Sequence, residues 1–304
     1  MAVPRSARPT NRQARVLIVG CGYTGSRLAR HLAVEYEVLG TVATKTSLEH
    51  LARQGIAAVR YDLDGADPCP VGAEWFDGAT LCHLAPPPAV GDTDDRTRRL
   101  LASLPGTPSC LIYLSTTGVY GDRGGEVVTE HTPIHPTSDR ARRRADAERA
   151  IDDWCESRDV RAVVLRVPGI YGPGRLPLER LRRGEPVLTR ADAGPGNRIH
   201  VDDLVLACSL AIASPLARGI YNVGDGNHAS SSEYFSLVAS QAGLPAPREV
   251  TLGEARAALS PGMLSFLTES RRVAIDRIRA ELGFVPRYAD LATGIRASLD
   301  QCSR

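Results

Sequence analysis

Lysine is almost missing from this chain of 304 residues, because Lys45 is the single lysine among 37 basic residues. With 35 acidic residues the formal net charge is only +2, so no strong field of one sign favours nucleic acid or an anionic membrane as a partner. Aromatic residues are also scarce at 5%, whereas the hydrophobic share of 43% and the charged share of 24% are typical of a soluble globular protein.

Paired cysteines and long apolar runs are absent from the sequence. The seven cysteines are scattered and form no C-x-x-C pair, which favours free thiols in a reducing compartment over a disulfide framework. Residues 1–14 are polar and rich in Arg and Pro, without the apolar core of a signal peptide, and no later run approaches the length of a membrane span. We therefore expect a cytoplasmic protein with a short disordered lead.

The sequence lacks the residue patterns of two common kinds of catalytic site. No G-x-S-x-G motif occurs, so the sequence predicts no hydrolase elbow. His131 and His135 have the spacing of metal ligands on a helix, but Pro133 and Pro136 predict a loop there, and we expect no metal site.

A glycine-rich turn near the start is the most informative stretch that is present. The apolar run 16–19 predicts a buried strand, and Gly20, Gly22 and Gly25 follow it in G-x-G-x-x-G spacing before a predicted helix over 24–35. In this order Gly20 allows the tight turn, Gly22 lets the backbone approach a pyrophosphate, and Gly25 lets the helix pack on the strand. The alternative is an ordinary glycine-rich turn; we predict a dinucleotide site.

Short apolar runs alternate with amphipathic segments along the rest of the chain. We predict strands at 16–19, 36–42, 57–61, 79–85, 110–115, 161–167 and 219–223, and helices at 24–35, 47–54, 93–103, 138–157, 176–183, 202–213, 232–242 and 290–300. This alternation predicts an α/β fold with a doubly wound parallel sheet. We assign residues 15–168 and 199–224 to a Rossmann domain, and 169–198 and 225–304 to a smaller C-terminal substrate lobe that closes over the carboxyl ends of the strands.

The end of the second predicted strand bears on cofactor choice. An NAD site usually carries a carboxylate there for the ribose 2′-hydroxyl, but residues 41–45 read Thr-Val-Ala-Thr-Lys. The hydroxyl of Thr44 and the ammonium group of Lys45 would not repel a 2′-phosphate and could bind it. We therefore predict NADP as the cofactor, with NAD possible.

Several separated motifs resemble the extended short-chain dehydrogenase/reductase family, in its atypical branch, whose members include NAD-dependent epimerases and dehydratases of nucleotide sugars. These motifs are Gly20–Gly25, Asp62-Leu63, Leu114–Gly121, Arg166–Gly174, Ile199–Leu204 and Glu281–Pro286. They cover nearly the whole chain in the family's order.

The resemblance implies roles for individual residues. The implied cofactor-binding set is Gly20, Gly22, Tyr23, Thr24, Gly25, Thr44, Lys45, Asp62, Leu63, Leu84, Ala85, Pro86, Ser115, Arg144, Pro168, Gly169 and Ile170. Asp62 would hold the adenine, with a solvated strand-end carboxylate as the alternative. Thr116 would lie beside the reacting carbon, with a hydroxyl bonded to the backbone as the alternative.

The chain departs from the family at its Tyr-x-x-x-Lys pair. Aligning on Glu148 places Arg144 at the lysine position and Arg140 at the tyrosine position, and no tyrosine occurs between Gly121 and Ile170. A guanidinium stays protonated, so Arg140 cannot pass a proton as a phenol does, although Arg144 could still bond ribose hydroxyls. The candidate proton donors elsewhere are Tyr171, Tyr120, His135 and His200.

The favoured function is that of an atypical NAD(P)-dependent oxidoreductase or epimerase/dehydratase-like enzyme, monomeric or homodimeric, acting by hydride transfer on a small polar, anionic metabolite. Thr116, Arg140, Arg144 and Tyr171 are its candidate catalytic residues, and Arg175, Arg198 and His200 its candidate substrate contacts. The alternative is a catalytically inactive NAD(P)-binding sensor with the same fold.

Overall fold

A computed structural model describes residues 14–258 and 269–302, so the predicted lead lies, apart from residue 14, outside the described residues. The strands along the chain are β1 (Arg15–Val19), β2 (Glu37–Val42), β3 (Ala58–Arg60), β4 (Thr80–His83), β5 (Cys110–Thr116), β6 (Val127–Val128), β7 (Arg161–Val167), β8 (Gly169–Tyr171), β9 (Val187–Leu188), β10 (Arg198–His200), β11 (Gly219–Asn222), β12 (Glu249–Val250) and β13 (Arg272–Val273).

The helices are α1 (Tyr23–Leu32), α2 (Lys45–Arg53), α3 (Asp95–Ser103), α4 (Asp139–Glu156), α5 (Leu178–Arg182), α6 (Val201–Ala213), α7 (Ser231–Gln241), α8 (Leu252–Ala258), α9 (Asp276–Leu282) and α10 (Leu291–Cys302). In the described part of the chain no helix combines the length and apolar character that a bilayer crossing requires.

The central sheet has seven strands in the order β3-β2-β1-β4-β5-β7-β11, and all its pairings are parallel. The predicted doubly wound sheet is therefore confirmed. From β1 the chain adds β2 and β3 on one side and then crosses back to form β4 on the other side of β1. The winding direction therefore reverses between β1 and β4. In such sheets ligands bind in the crevice at the carboxyl ends of the strands beside this reversal.

Helices cover both faces of the sheet, which explains why its inner strands are continuously apolar. One buried cluster includes Leu28 of α1, Leu51 of α2 and Leu204 of α6. The cluster on the opposite face includes Leu100 of α3 and Ile151 of α4. Helix α4, which carries Arg140 and Arg144, therefore packs directly against the strands that lead into the crevice.

A separate small core lies in the segments assigned to the substrate lobe. It joins Tyr171, Leu181 of α5, Phe235 of α7 and Ile295 of α10. Ile278 and Phe284, also assigned to the lobe by sequence, instead pack in the core of the sheet. The domain boundaries stay a prediction.

Short strands that the sequence did not predict complete the region around the crevice. Residues 169–171 form β8, which pairs in parallel with β10, while β6 pairs with β13 and β9 with β12. Each partner lies far away in the chain, so no local pattern of residues could indicate these pairings.

Candidate nucleotide and active site

The turn between β1 and α1 is tightly packed on one side and open on the other. Gly20 has φ +88°, and a Cβ added there would lie 2.4 Å from the backbone nitrogen of Ala85. A Cβ at Gly25 would lie 2.9 Å from the Gly20 carbonyl oxygen, whereas one at Gly22 would meet no atom within 4 Å. No side chain caps the first turn of α1. The turn is thus a cradle that only glycine backbone can form, opening at Gly22 beside a helix start that favours anions.

The two segments predicted to line the adenosine side lie together at the same edge. Asp62 is half-buried and its carboxylate accepts the backbone N–H of Asp64 at 3.0 Å, while Leu63 and Ala85 are buried. Arg96 links the segments, because its Nε donates to Asp64 at 2.7 Å and its Nη1 to the Pro86 carbonyl at 3.0 Å. Leu84 is half-buried beside them.

Arg60, a cationic side chain that the sequence did not suggest, lies beside the end of β2. The Thr44 hydroxyl accepts the Ser47 N–H at 3.1 Å and so caps α2, and Lys45 is exposed, 3.9 Å from the Glu49 carboxylate. Arg60 on β3 pairs with Val42, and its Nε donates to the Ala43 carbonyl at 3.2 Å. The pairing of β3 with β2 therefore places Arg60 near Thr44 and Lys45, the two residues that the sequence predicted to contact a 2′-phosphate.

The end of β5 presents the hydroxyl predicted to meet a substrate. Thr116 is half-buried, and its Oγ1 accepts the Gly118 N–H at 3.1 Å, which starts a 3₁₀ turn over Thr117–Tyr120. The Ser115 hydroxyl instead points into the protein and donates to Glu148. Directly after the neighbouring strand β7, Pro168 and Ile170 are half-buried and Gly169 is exposed.

A family model described as the NAD dependent epimerase/dehydratase family matches residues 16–224, more than half of the chain, and the match begins at the cradle. The chain belongs to the NAD-dependent epimerase/dehydratase family. The predicted family resemblance is therefore confirmed.

Individual relatives cover almost all of the chain. Protein YeeZ of Escherichia coli K12 is 28% identical over 286 residues, covering 91% of this chain and 97% of YeeZ. A conserved protein of unknown function from Silicibacter pomeroyi DSS is 30% identical, with a TM-score of 0.78, over 96% of this chain and 100% of its own. UDP-glucose 4-epimerase of Thermus thermophilus, solved in complex with NAD, is 25% identical, with a TM-score of 0.74, over 95% of this chain and 99% of its own.

Arg144 and Arg140, aligned with the family's lysine and tyrosine, lie in different surroundings. Arg144 Nη1 donates to the Tyr113 hydroxyl at 2.9 Å and to the Leu114 carbonyl at 2.8 Å, so its guanidinium is held against the end of β5. Arg140 is exposed in the first turn of α4.

A further arginine, which the sequence did not single out, lies near Arg140. Arg271 donates to the Gly121 carbonyl at 2.5 Å and to Glu269 at 3.3 Å. Burial lowers the pKa of Arg271, and the positive charge of Arg140 lowers it further. No sequence signal ties residue 271 to this edge, because the contact joins positions 150 apart.

Three candidate side chains of the family motifs are buried in the molecule. Tyr171 is 2% exposed, packs edge-on against His200 with ring centroids 5.2 Å apart, and burial raises its pKa. His200 accepts the Asp202 N–H at 3.2 Å and contacts Ser298 at 3.2 Å, and burial lowers its pKa to about 4. The hydroxyl of Tyr120 donates to Asn222 at 2.7 Å. Their roles stay predictions, but the structure does not bring these groups to the open edge.

The remaining candidates lie at the surface or hold the lobe together. His135 is exposed, and its Nδ1 lies 3.5 Å from where a Cβ of Gly121 would be. Arg198 donates to the carbonyls of Ala229 and Ser230 at 2.6 and 3.3 Å and stacks over the Tyr234 ring at 4.4 Å, so the protein itself occupies its guanidinium. Arg175 is exposed and reaches the glycine turn.

Proposed function

We propose that this protein is an atypical NAD(P)-dependent epimerase/dehydratase-like or oxidoreductase enzyme of the cytoplasm, acting as a monomer or homodimer by hydride transfer at a carbinol carbon of a small polar, anionic metabolite. The observation that carries the proposal is the glycine cradle, which opens at Gly22 into the same crevice that Thr116 and Arg144 approach. A cradle that a Cβ would fill fits a dinucleotide pyrophosphate.

Each part of the cofactor has residues suited to it. Backbone of Gly20–Gly25 would hold the pyrophosphate, and Asp62, with the turn Leu84–Pro86, would hold the adenosine. Arg144 would donate to the nicotinamide ribose, since Tyr113 and Leu114 already orient its guanidinium. Pro168–Ile170 would flank the nicotinamide, which, when bound, donates or accepts the hydride.

On the substrate side, Thr116 can donate its hydroxyl proton to a substrate oxygen because its lone pair already accepts the Gly118 N–H. Arg140 would face an oxyanion or carboxylate as a fixed positive charge. Of the four candidate proton donors, His135 is the exposed one beside Gly121, and we assign the proton transfer to it.

The rival proposal is an inactive NAD(P)-binding sensor. It is favoured by the two arginines that align with the Tyr-x-x-x-Lys pair, because they would replace both catalytic residues. Native mass spectrometry of the purified protein would identify the cofactor and metabolite that copurify. Hydride exchange between labelled reduced cofactor and that metabolite would support the enzyme. Stable binding without exchange would support the sensor.

We predict that NADPH binds about tenfold or more tightly than NADH, because a charged hydrogen bond to the 2′-phosphate contributes about 1.5–3 kcal/mol. Thr44, Lys45 and Arg60 supply the donors, and no acidic residue occurs in 41–45. Fluorescence titration of both nucleotides measures the preference. Arg60→Ala should reduce it, whereas Arg53→Ala, at the far end of α2, should not. Equal or tighter binding of NADH would contradict the prediction.

We also predict that Arg140 and Arg144 have separate roles. Arg144→Ala should weaken cofactor binding about tenfold or more through the lost charged hydrogen bond. Arg140→Ala should leave cofactor affinity near that of the parent and reduce turnover or substrate affinity. Arg149→Ala, also on α4 but 74% exposed, is the control. If the Arg144 and Arg140 variants had identical profiles, both side chains would be surface charges and the helix alignment would be incorrect.

A further inference from the structure

The loop that follows β8 is packed onto the first residue of α1. The Tyr23 hydroxyl donates to the Pro173 carbonyl at 3.0 Å. Gly172 has φ +152°, and a Cβ there would lie 2.6 Å from the Tyr23 Oη and 2.7 Å from the Val201 Cγ1. This close approach brings the loop, which the sequence assigned to the substrate lobe, to the edge of the glycine cradle.

Two guanidinium groups lie over the Tyr23 ring. Arg27 is 4.0 Å and Arg175 is 4.8 Å from the ring centroid. Arg27 belongs to α1 itself, and its Nη1 donates to the Tyr23 carbonyl at 3.0 Å. Over residues 14–258 and 269–302, neither arginine has a carboxylate within ion-pair distance. Positive charge that no ion pair neutralises therefore collects where α1 begins.

We propose that Arg175 is a ligand of the cofactor's pyrophosphate, contributed by the loop after β8, rather than a contact for the substrate. The inference rests on the proposed function, because it takes the cradle as the pyrophosphate site. Arg175 comes from the loop after β8, whereas Gly22 and the helix start come from the turn after β1, so the dinucleotide would be held between two segments about 150 residues apart. Arg175 is better suited than Arg27, whose guanidinium is bonded to its own helix, and a guanidinium can bind two phosphate oxygens at once.

The proposal also gives a reason for the packing of Tyr23. The ring positions Arg175 by a cation–π contact, and the hydroxyl fixes the loop at Pro173. An occupied cradle would then attract Arg175 and hold the loop more firmly. The backbone amides of Gly172, Gly174, Arg175 and Leu176 should exchange more slowly with solvent when nucleotide is bound.

Calorimetric binding of 5′-ADP and 5′-AMP to the full chain tests the proposal without a turnover assay. Arg175→Ala and Arg175→Gln should both weaken ADP binding about tenfold, the loss expected for one charged hydrogen bond, and should affect AMP less. Arg182→Ala is the control, since Arg182 is exposed on α5 and paired with Glu179. Glutamine keeps the Cβ–Cδ part of the side chain but removes the charge, so a loss caused by the packing of that part alone would appear in the alanine variant and not in the glutamine variant.

The outcomes separate the inference from the proposed function. If parent and both variants bind ADP equally, or if Arg175→Gln retains the parent affinity, Arg175 is not a pyrophosphate ligand although the cradle binds nucleotide. If the folded parent binds neither ADP nor NAD(P)H, the proposed function fails and the inference fails with it.

Discussion

Gly20→Ala is expected to destabilise the protein, whereas Gly22→Ala is expected to cost less stability and to abolish tight nucleotide binding. At Gly20 the new Cβ would be 2.4 Å from the Ala85 nitrogen, at a φ of +88°. Left-handed backbone costs a non-glycine residue about 1–2 kcal/mol, and overpacking costs roughly 1–3 kcal/mol more. A total loss of about 2–5 kcal/mol corresponds to a fall in Tm of about 3–8 °C for a chain of this length, at an unfolding entropy of roughly 2.1 cal/mol/K per residue.

Gly22 is the matched comparison in the same turn. Its φ of −87° is outside the left-handed region, although its ψ of −141° lies beyond the usual β region, so alanine meets less backbone strain there than at Gly20, and the new Cβ would meet no protein atom within 4 Å. The methyl group would instead occupy the space that the pyrophosphate needs, so nucleotide affinity should fall by at least about tenfold, the loss of roughly one charged hydrogen bond. Thermal unfolding and nucleotide titration of both variants measure the two effects. A Gly22→Ala protein that binds nucleotide like the parent would refute the position of the cradle.

Removing the carboxylate of Glu148 is expected to give the largest loss of stability of any change considered. Glu148 Oε2 accepts from Arg166 Nη2 at 2.7 Å, and the two side chains are only 9% and 4% exposed. Breaking a buried ion pair from one side costs about 3–5 kcal/mol, because the remaining charge stays buried without compensation. Glu148→Ala should therefore lower the free energy of unfolding in urea by this amount.

The same ion pair contacts residues at the end of β5, beside the candidate site. Glu148 also accepts the Ser115 hydroxyl, and the guanidinium of Arg166 lies 4.8 Å from the centre of the Tyr120 ring. Glu179→Ala removes an exposed ion pair and should change stability by less than about 0.5 kcal/mol. The double variant Glu148→Met/Arg166→Met should recover part of the loss, since no buried charge remains. A Glu148→Ala protein as stable as the Glu179→Ala control would contradict the prediction.

Several features of the site could be predicted because neighbours in the chain create them. The strand, glycines and helix of the cradle are contiguous, and Arg144 was located by its spacing from Glu148 on one helix. Thr116 was assigned from its motif, and its place at the end of β5 follows from the length of that strand. The predicted edges of the elements differ from the observed ones by only a few residues in most cases, as for the helix predicted at 24–35 and observed at Tyr23–Leu32.

Other residues also lie in family motifs, but their side chains are buried in the fold instead of facing the candidate site. His200 and Tyr171 occupy family motifs, yet the packing of α10, which contributes Ser298 and Ile295, buries both. Arg175 was predicted to bind substrate because it lies in a glycine-rich loop, and its contact with Tyr23 could not be anticipated. No motif or spacing in the sequence indicated Arg60 or Arg271.

The sequence by itself determined the parallel sheet, the position of its nucleotide turn and the family to which the chain belongs. These follow from backbone preferences and apolar periodicity, which act between residues close together in the chain. Only the tertiary structure decided the role of each polar side chain, because a guanidinium or hydroxyl becomes a ligand, a cap or a buried support according to the group it meets. For Arg144, Arg166 and Tyr23 that group is contributed by a segment between 18 and 150 residues away.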